Sequence, residues 1–233
     1  MLQNKFKILD ELVAKPQTYS LPLFWNNHSK MKSFQATQFW EERYGQQEYA
    51  YGTEPNTFLA EVLPQVESGA ILFPAEGEGR NAVFAASLGW QVDAFDFSAE
   101  GRRKALALAE SKGVSIRYIL ADLMTFTTEV RYQAIALIFV HLPPDARLNM
   151  LRQCIELLEP GGALIIEGFH PLQIGKPSGG PNDASYCYTQ TELESLLESG
   201  FNIIQLTDQA VTLTEGPHHT GPAHTLRLLA TKK

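Results

Sequence analysis

A short apolar run, Ala70–Phe73, leads into Pro74-Ala-Glu-Gly-Glu-Gly79 and then into a helical pattern of Ala82, Val83, Ala85, Ala86 and Leu88 that Gly89 stops. This is a strand, a glycine turn and a helix in immediate succession. Glycine permits the tight turn and lets a ligand approach the backbone closely. The helix N-terminus behind it presents N–H groups and a positive dipole end. The rhythm then repeats. Gln91–Phe95 reads as a second strand closing on Asp96, and Ser98 as the cap of a helix running to about Lys112, with Gly113 after it. Ser115–Leu120 reads as a third strand ending at Asp122, and Tyr132–Phe139 as a fourth. Pro143-Pro144 opens a helix to Leu158, Glu159-Pro-Gly-Gly162 a turn, and Ala163–Glu167 a fifth strand. Such alternation over short connections predicts an α/β fold, a parallel sheet with helices on both faces. Strands apolar throughout, such as Ile135–Val140, suit central positions.

The flanks follow different patterns. Phe39, Trp40 and Tyr44 predict an amphipathic helix over 34–46, and Thr53 is expected to cap a second helix with Phe58, Leu59, Val62 and Leu63 on one face. Residues 1–33 lack sustained periodicity and are expected to be a loosely ordered N-terminal extension, leaving 34–233 as a single domain. Residues 169–188 read as a long irregular segment of the kind that is usually functional. A helix at 190–199 and strands near 201–213 and 223–230 predict an antiparallel hairpin closing one sheet edge, with Pro217 and Gly221-Pro222 at its tip.

Bulk properties exclude several classes. The formal net charge of −7 disfavours phosphate backbones and anionic membranes, and no run of Lys and Arg offsets it. The expected partners therefore include neither nucleic acid nor membrane. Cys154 and Cys187 form neither a zinc-ligand spacing nor a disulfide framework, so a reducing cytoplasmic setting and no metal are expected. No apolar run approaches the ~20 residues of a membrane span, and Asp10 and Glu11 interrupt the N-terminal apolar stretch that a signal peptide requires.

The candidate site lies at the strand ends. Gly77 and Gly79 shape the turn. Asp96, at the end of the second strand, is placed to accept both ribose hydroxyls of an adenosyl or nicotinamide cofactor. Asp122 can receive an adenine amino group. The glycine turn alone fits a dinucleotide fingerprint as well as an adenosyl site. Glu76 and Glu78 within it oppose a pyrophosphate and suit a cationic ligand carrying a sulfonium and an ammonium.

Residues 34–232 resemble the class I S-adenosylmethionine-dependent methyltransferases, in particular the small-molecule group that includes the tellurite-resistance methyltransferase. The resemblance is carried by Phe39-Trp-Glu-Glu-Arg-Tyr44, Tyr51-Gly-Thr-Glu-Pro-Asn56, Pro74-Ala-Glu-Gly-Glu-Gly-Arg-Asn81, Phe95-Asp-Phe-Ser98, Ala121-Asp122, Ile138-Phe-Val-His-Leu-Pro143, Leu158-Glu-Pro-Gly-Gly162, Gly179-Gly-Pro181 and Glu215-Gly-Pro-His-His-Thr-Gly221. It implies a Rossmann-like sheet of seven strands with the last antiparallel, and S-adenosyl-L-methionine as cofactor. It also implies cofactor contacts at Glu76, Gly77, Gly79, Asp96, Phe97, Asp122, Leu123, Ile138 and Val140, with Arg43, Tyr44, Tyr51 and Gly52 closing the site. Many class I enzymes end the first strand with an acidic residue where this chain has Phe73, and Glu76 is the candidate substitute. The acceptor classes left open are a thiol, a chalcogen oxyanion or another small metabolite, and a monomer or homodimer is expected. Methyl transfer needs a base only when the acceptor must lose a proton. His141 and His219 are the leading candidates for it, ahead of His170 and His218. The readings left open are an NAD(P)-dependent oxidoreductase and a cofactor-binding protein without catalysis.

Overall fold

The β1 strand (Ala70–Pro74) lies inside the sheet, between β2 (Gln91–Asp96) and β4 (Tyr132–Ile138), and all three run parallel. The computed structural model describes residues 37–233, so the expected extension over 1–33 lies outside the described residues. Outward from these three come β3 (Arg117–Leu120) beyond β2, and β5 (Leu158–Phe169), β7 (Thr220–Lys232) and β6 (Phe201–Thr214) beyond β4. The sheet order is β3-β2-β1-β4-β5-β7-β6, and β7 is antiparallel to both of its neighbours. The expected seven-stranded architecture with an antiparallel last strand is therefore present. The helices are α1 (residues 37–44), α2 (Thr57–Val62), α3 (Arg80–Ser87), α4 (Ala99–Ser111), α5 (Pro144–Leu157) and α6 (Gln190–Leu197).

Strand periodicity divides the core into two layers. Leu72, Ile135, Leu137, Leu164, Ile166, Leu226 and Leu228 face Met150, Leu151 and Cys154 of α5 and Leu193 and Leu197 of α6. The alternate positions Ile71, Phe73, Val92, Ala94, Ala134, Ala136 and Ile165 face Phe58 and Leu59 of α2, Ala82 and Ala85 of α3, and Ala105 of α4. Successive side chains of a strand point to opposite faces, so a run apolar at every position must be covered on both. The β3–β4 connection, residues 121–131, crosses the first face without a helix. A cavity of about 320 Å³, lined by Leu72, Phe95, Leu123, Phe126, Met150 and Cys154 among others, lies beside it.

The structure departs from sequence expectation at element ends. Asn56, not Thr53, caps α2, and its Oδ1 accepts from Leu59 N–H at 2.9 Å. The expected turn at Glu159–Gly162 is absorbed into β5, because Leu158 is buried and pairs with Tyr132 as soon as α5 ends. The hairpin tip is Glu215–His219, with Gly221 and Pro222 already in β7. The expected antiparallel hairpin does close this edge of the sheet, with β6 outermost. Among the described residues no helix is long and apolar enough to cross a membrane.

Gly79 sets the distance between α3 and α4. It precedes α3 with φ at 87°, and a Cβ there would lie 2.7 Å from Ala105 Cα in α4. Gly79→Ala is therefore expected to lower stability by about 2–4 kcal/mol, from left-handed backbone strain plus overpacking. Denaturant unfolding measures this, and an unchanged midpoint would contradict the close approach.

Candidate cofactor site

Two crossovers leave the sheet in opposite directions from neighbouring strands, β1 toward β2 and β4 toward β5. Their carboxyl ends form a topological switch point, where open α/β sheets bind ligands. The backbone is strained on both sides of it. Among the described residues the non-glycine residues with positive φ are Ala75 (51°), just after β1, and Phe139 (55°), just after β4. Such conformations cost about 1–3 kcal/mol each and cluster at functional sites.

The turn after β1 is tied down from several directions. Gly77 has φ at 63°, and a Cβ there would lie 2.6 Å from Tyr44 Oη of α1. Tyr118 Oη donates to Gly77 O at 2.6 Å. Gly77 N–H donates to Asp96 Oδ2 at 3.1 Å, and Ser98 N–H to Asp96 Oδ1 at 2.8 Å. A carboxylate offers about four acceptor sites, so two remain on Asp96 for hydroxyl donors. Asp96 is buried, and burial pushes its carboxyl up to about 6 against these bonds. Phe97, half-buried, follows it. Ser98 caps α4 as the sequence predicts, accepting from Gly101 N–H at 3.0 Å. The N-terminus of α4 is capped a second time, because Glu41 of α1 accepts from Ala99 N–H and Glu100 N–H at 2.6 and 3.2 Å.

The two glutamates of the turn have different roles. Glu76 Oε1 accepts from Asn81 N–H and Ala82 N–H, both at 2.8 Å, and so occupies the N-terminus of α3. Its Oε2 makes only a long 3.4 Å bond from Asn81 Nδ2. Burial pushes the Glu76 carboxyl up to about 7. Glu78 points away from solvent, bonded to Lys104 Nζ and Ala50 N–H, each at 2.8 Å. Its carboxylate is satisfied by the fold, so the expectation that both acids serve a cationic ligand narrows to Glu76.

A chain of buried charges joins the N-terminal side to the hairpin tip. Glu215 accepts from Arg80 Nη2 at 2.7 Å, from Asn56 Nδ2 at 3.0 Å and from Thr57 N–H at 3.3 Å. Asn56 Nδ2 also donates to Glu167 at 2.6 Å, and Arg227 Nε closes the far end on Glu167 at 2.7 Å. Burial raises the Glu215 carboxyl, but His219 nearby and Arg80 outweigh it and hold the group down at about 2. Two glycines permit the docking: Gly52 (φ 72°) and Gly216 (φ 77°) meet backbone to backbone, and a Cβ on Gly216 would lie 2.6 Å from Tyr51 C.

Between this network and the end of β4 stands a wall of rings. His219 lies 4.4 Å from Tyr51, 4.5 Å from Phe139 and 5.4 Å from Phe169, centroid to centroid. His219 Nδ1 is buried and has no hydrogen-bond partner; Glu215 Oε2 is 3.9 Å away. Arg43 Nη1 donates to Tyr51 Oη at 2.9 Å, so the expected closing residues Arg43, Tyr51 and Gly52 do lie together. His141 has both nitrogens engaged. Tyr186 O, which can only accept, lies 3.1 Å from Nδ1, and Phe169 N–H donates to Nε2 at 3.2 Å. This fixes a neutral Nδ1–H tautomer, and burial pushes the ring down to about 4. His141 is thus a cross-link between β4, β5 and the following loop, with no lone pair free for a base.

The remaining expected contacts sit at the rim. Asp122 is exposed and uses Oδ1 to accept from Met124 N–H at 2.7 Å, while Leu123 packs on the α5 side of the core. Ile138 ends β4, and the carbonyl of buried Val140 accepts from Tyr188 Oη at 2.7 Å. Sequence reasoning missed Glu41, Asn56, Lys104 and Glu167 as parts of the frame, and Phe169 as a wall. An acid inside a buried strand, as Glu167 is in β5, was the one available signal.

Residues 71–162 match the family model described as Methyltransferase domain. No curated protein sequence matches the chain. TehB from Haemophilus influenzae is similar in structure at a TM-score of 0.65 and 15% identity, covering 84% of this chain and 67% of that one. Magnesium protoporphyrin IX methyltransferase (ChlM) from Synechocystis PCC 6803, solved with bound SAM, has a TM-score of 0.55 and 15% identity over 89% and 85% of the two chains. An S-adenosylmethionine-dependent methyltransferase from Clostridium acetobutylicum ATCC 824 has a TM-score of 0.57 and 14% identity over 88% and 99%. Residues 71–162 thus match a methyltransferase domain, and the chain shares its fold with solved S-adenosylmethionine-dependent methyltransferases.

Proposed function

We propose that this enzyme transfers the methyl group of S-adenosyl-L-methionine to a small-molecule acceptor held against Tyr51, Phe139, Phe169 and His219. The acceptor classes that suit it are a thiol, a chalcogen oxyanion or a comparable small metabolite. The observation that carries the reading is Asp96, buried at the switch point with two backbone bonds made and two acceptor positions left. A dinucleotide is disfavoured at the same place. Its pyrophosphate would need the first N–H groups of α3, and Glu76 already holds them.

Bound S-adenosylmethionine supplies a methyl group on a sulfonium that is already a good leaving group. The task of the chain is then to align the acceptor and exclude water. Asp96 receives the ribose hydroxyls. Glu76 Oε2 offers a negative charge to the ammonium, in place of the acid that Phe73 does not supply. Asp122 and Leu123 hold the adenine, Gly77 and Gly79 give the cofactor access to backbone, and Ile138 and Val140 border its methionine part. Arg43, from its position on Tyr51, is within the closing segment that meets the cofactor carboxylate. For acceptors that must lose a proton, His219 is the base. Burial and the Arg80 charge lower its affinity for a proton despite Glu215, which keeps the ring neutral. Its buried Nδ1, 3.9 Å from Glu215 Oε2, makes no hydrogen bond.

Asp96→Ala is expected to weaken binding of the demethylated cofactor more than tenfold in calorimetry, since hydrogen bonds to a charged group contribute about 1.5–3 kcal/mol. Unchanged affinity would remove Asp96 from the site. The Glu76 carboxyl, raised to about 7 in the free protein, must lose its proton to face an ammonium. Affinity should therefore climb as pH rises toward 7, by up to about tenfold per unit, and level off above it. Glu76→Gln should flatten this climb below pH 7, whereas an identical slope in both proteins would place the ammonium elsewhere. His219→Ala should slow turnover of proton-losing acceptors by about 10²–10⁴-fold with cofactor affinity kept. Equal turnover would leave alignment alone as the source of rate.

A further inference from the structure

Three adjacent strands bring together two imidazoles and a carboxylate that the methyl-transfer reading does not use. His170 follows β5 directly, and its N–H donates to His224 O of β7 at 3.1 Å, one rung beyond the Phe169↔Thr225 pair. His224 is therefore the cross-strand partner of His170. Their rings lie 5.0 Å apart. On the other side of β7, His224 pairs with Ala210 of β6, and Asp208 sits two residues away on the same face. The diagonal reach is short enough that His224 Nε2 and Asp208 Oδ1 are 3.1 Å apart. One ligand atom from each of the three side chains lies within 4.8 Å of the other two. His170 and His224 are half-buried and Asp208 is open to solvent, so an ion can enter.

We propose that His170, Asp208 and His224 bind a divalent transition-metal ion of the zinc class. Two imidazoles and one carboxylate are borderline donors that suit such an ion, whereas Mg²⁺ and Ca²⁺ prefer all-oxygen sets. Zinc takes nitrogen and oxygen ligands at about 2.0–2.2 Å, which places donors roughly 3.3 Å apart in a tetrahedron. The His224–Asp208 pair already has that spacing, and His170 closes the remainder by side-chain rotation. Coordination by either nitrogen of His170 ends the bond that Nδ1 accepts from Leu172 N–H at 3.2 Å, so the metal competes with the cap of the turn Pro171–Gln173. Three protein ligands leave a fourth position for water or an exogenous donor. The ligands stand 38 and 16 residues apart in the chain, so no spacing motif announces them. The strand register alone assembles them. Phe169, which walls the acceptor side, immediately precedes His170. An ion here would tie β5, β7 and β6 together next to that wall.

The test is calorimetric titration of the full chain, stripped with a chelator, with zinc chloride and separately with magnesium chloride, in the absence of any adenosyl ligand. One equivalent of zinc is expected to bind with a dissociation constant in the micromolar range or below, with no saturable binding of magnesium. His170→Gln, His224→Gln and Asp208→Asn should each weaken zinc more than tenfold. Asp208→Asn is nearly isosteric at an exposed position and keeps the test valid if an imidazole variant fails to fold. Absence of saturable zinc binding, magnesium binding of equal strength, or zinc affinity unaltered by Asp208→Asn would overturn the proposal. None of these outcomes depends on methyl transfer.

Discussion

The hydrogen bond from Gly77 N–H to Asp96 Oδ2 joins the glycine turn after β1 to the end of β2, and the rest of the site is arranged around it. The bond requires the backbone at Gly77 to take a positive φ, with Tyr44 packed where a side chain would otherwise project. It also places Asp96 in a buried position, where burial raises the carboxyl while the bonds from Gly77 and Ser98 favour its charged form. A carboxylate held by backbone N–H groups is pre-oriented, so little of its rotamer freedom remains to be lost on binding any donor. Ala75 and Phe139 extend the same logic to the backbone. Their left-handed conformations persist because the parallel ladders of β1 and β4 determine where the chain must go next.

The walls depend on a second constraint, the charge chain Arg80–Glu215–Asn56–Glu167–Arg227. Removing one member of a buried ion pair costs about 3–5 kcal/mol, because the charge left behind has no solvent to receive it. The expense of such a network is matched by its geometry. It fixes the segment after α1 against the end of β5 and the β6–β7 tip, 111 and 159 residues away in the chain. His219 and Tyr51 therefore meet Phe139 and Phe169 in one place. In that setting His219 and His141, equal as candidates in sequence, separate by hydrogen bonding. One has a buried nitrogen without a partner, and the other has both nitrogens engaged.

The sheet was legible because its signals are local. Apolar runs of four to seven residues, glycines at the turns and Ser98 before α4 each report on a few neighbouring positions. The places of the glycine turn after β1 and of Asp96 at the end of β2 were legible for the same reason. Side-chain pairing across the fold was not. Glu78 reads as a second acid for a cationic ligand until Lys104, 26 residues on, is seen to neutralise it. Asn56 displaced Thr53 as the cap of α2 because its amide also serves Glu167 and Glu215, contacts 111 and 159 residues away. The turn expected at Glu159–Gly162 was lost to pairing of Leu158 with Tyr132, a tertiary preference that overrides local glycine and proline. The triad of His170, Asp208 and His224 belongs with these, since only the antiparallel register of β5, β7 and β6 brings it together.

The central claim is that an adenosyl cofactor lies across the ends of β1 and β4 with its ribose on Asp96. A crystal structure of the chain with the demethylated cofactor tests it most directly. The account predicts both ribose hydroxyls within about 2.5–3.0 Å of the Asp96 carboxylate, the usual range for such bonds, with the amino acid end toward Glu76 and the sulfur facing Phe139 and His219. Density for the ligand elsewhere, or a ribose held without Asp96, would contradict it.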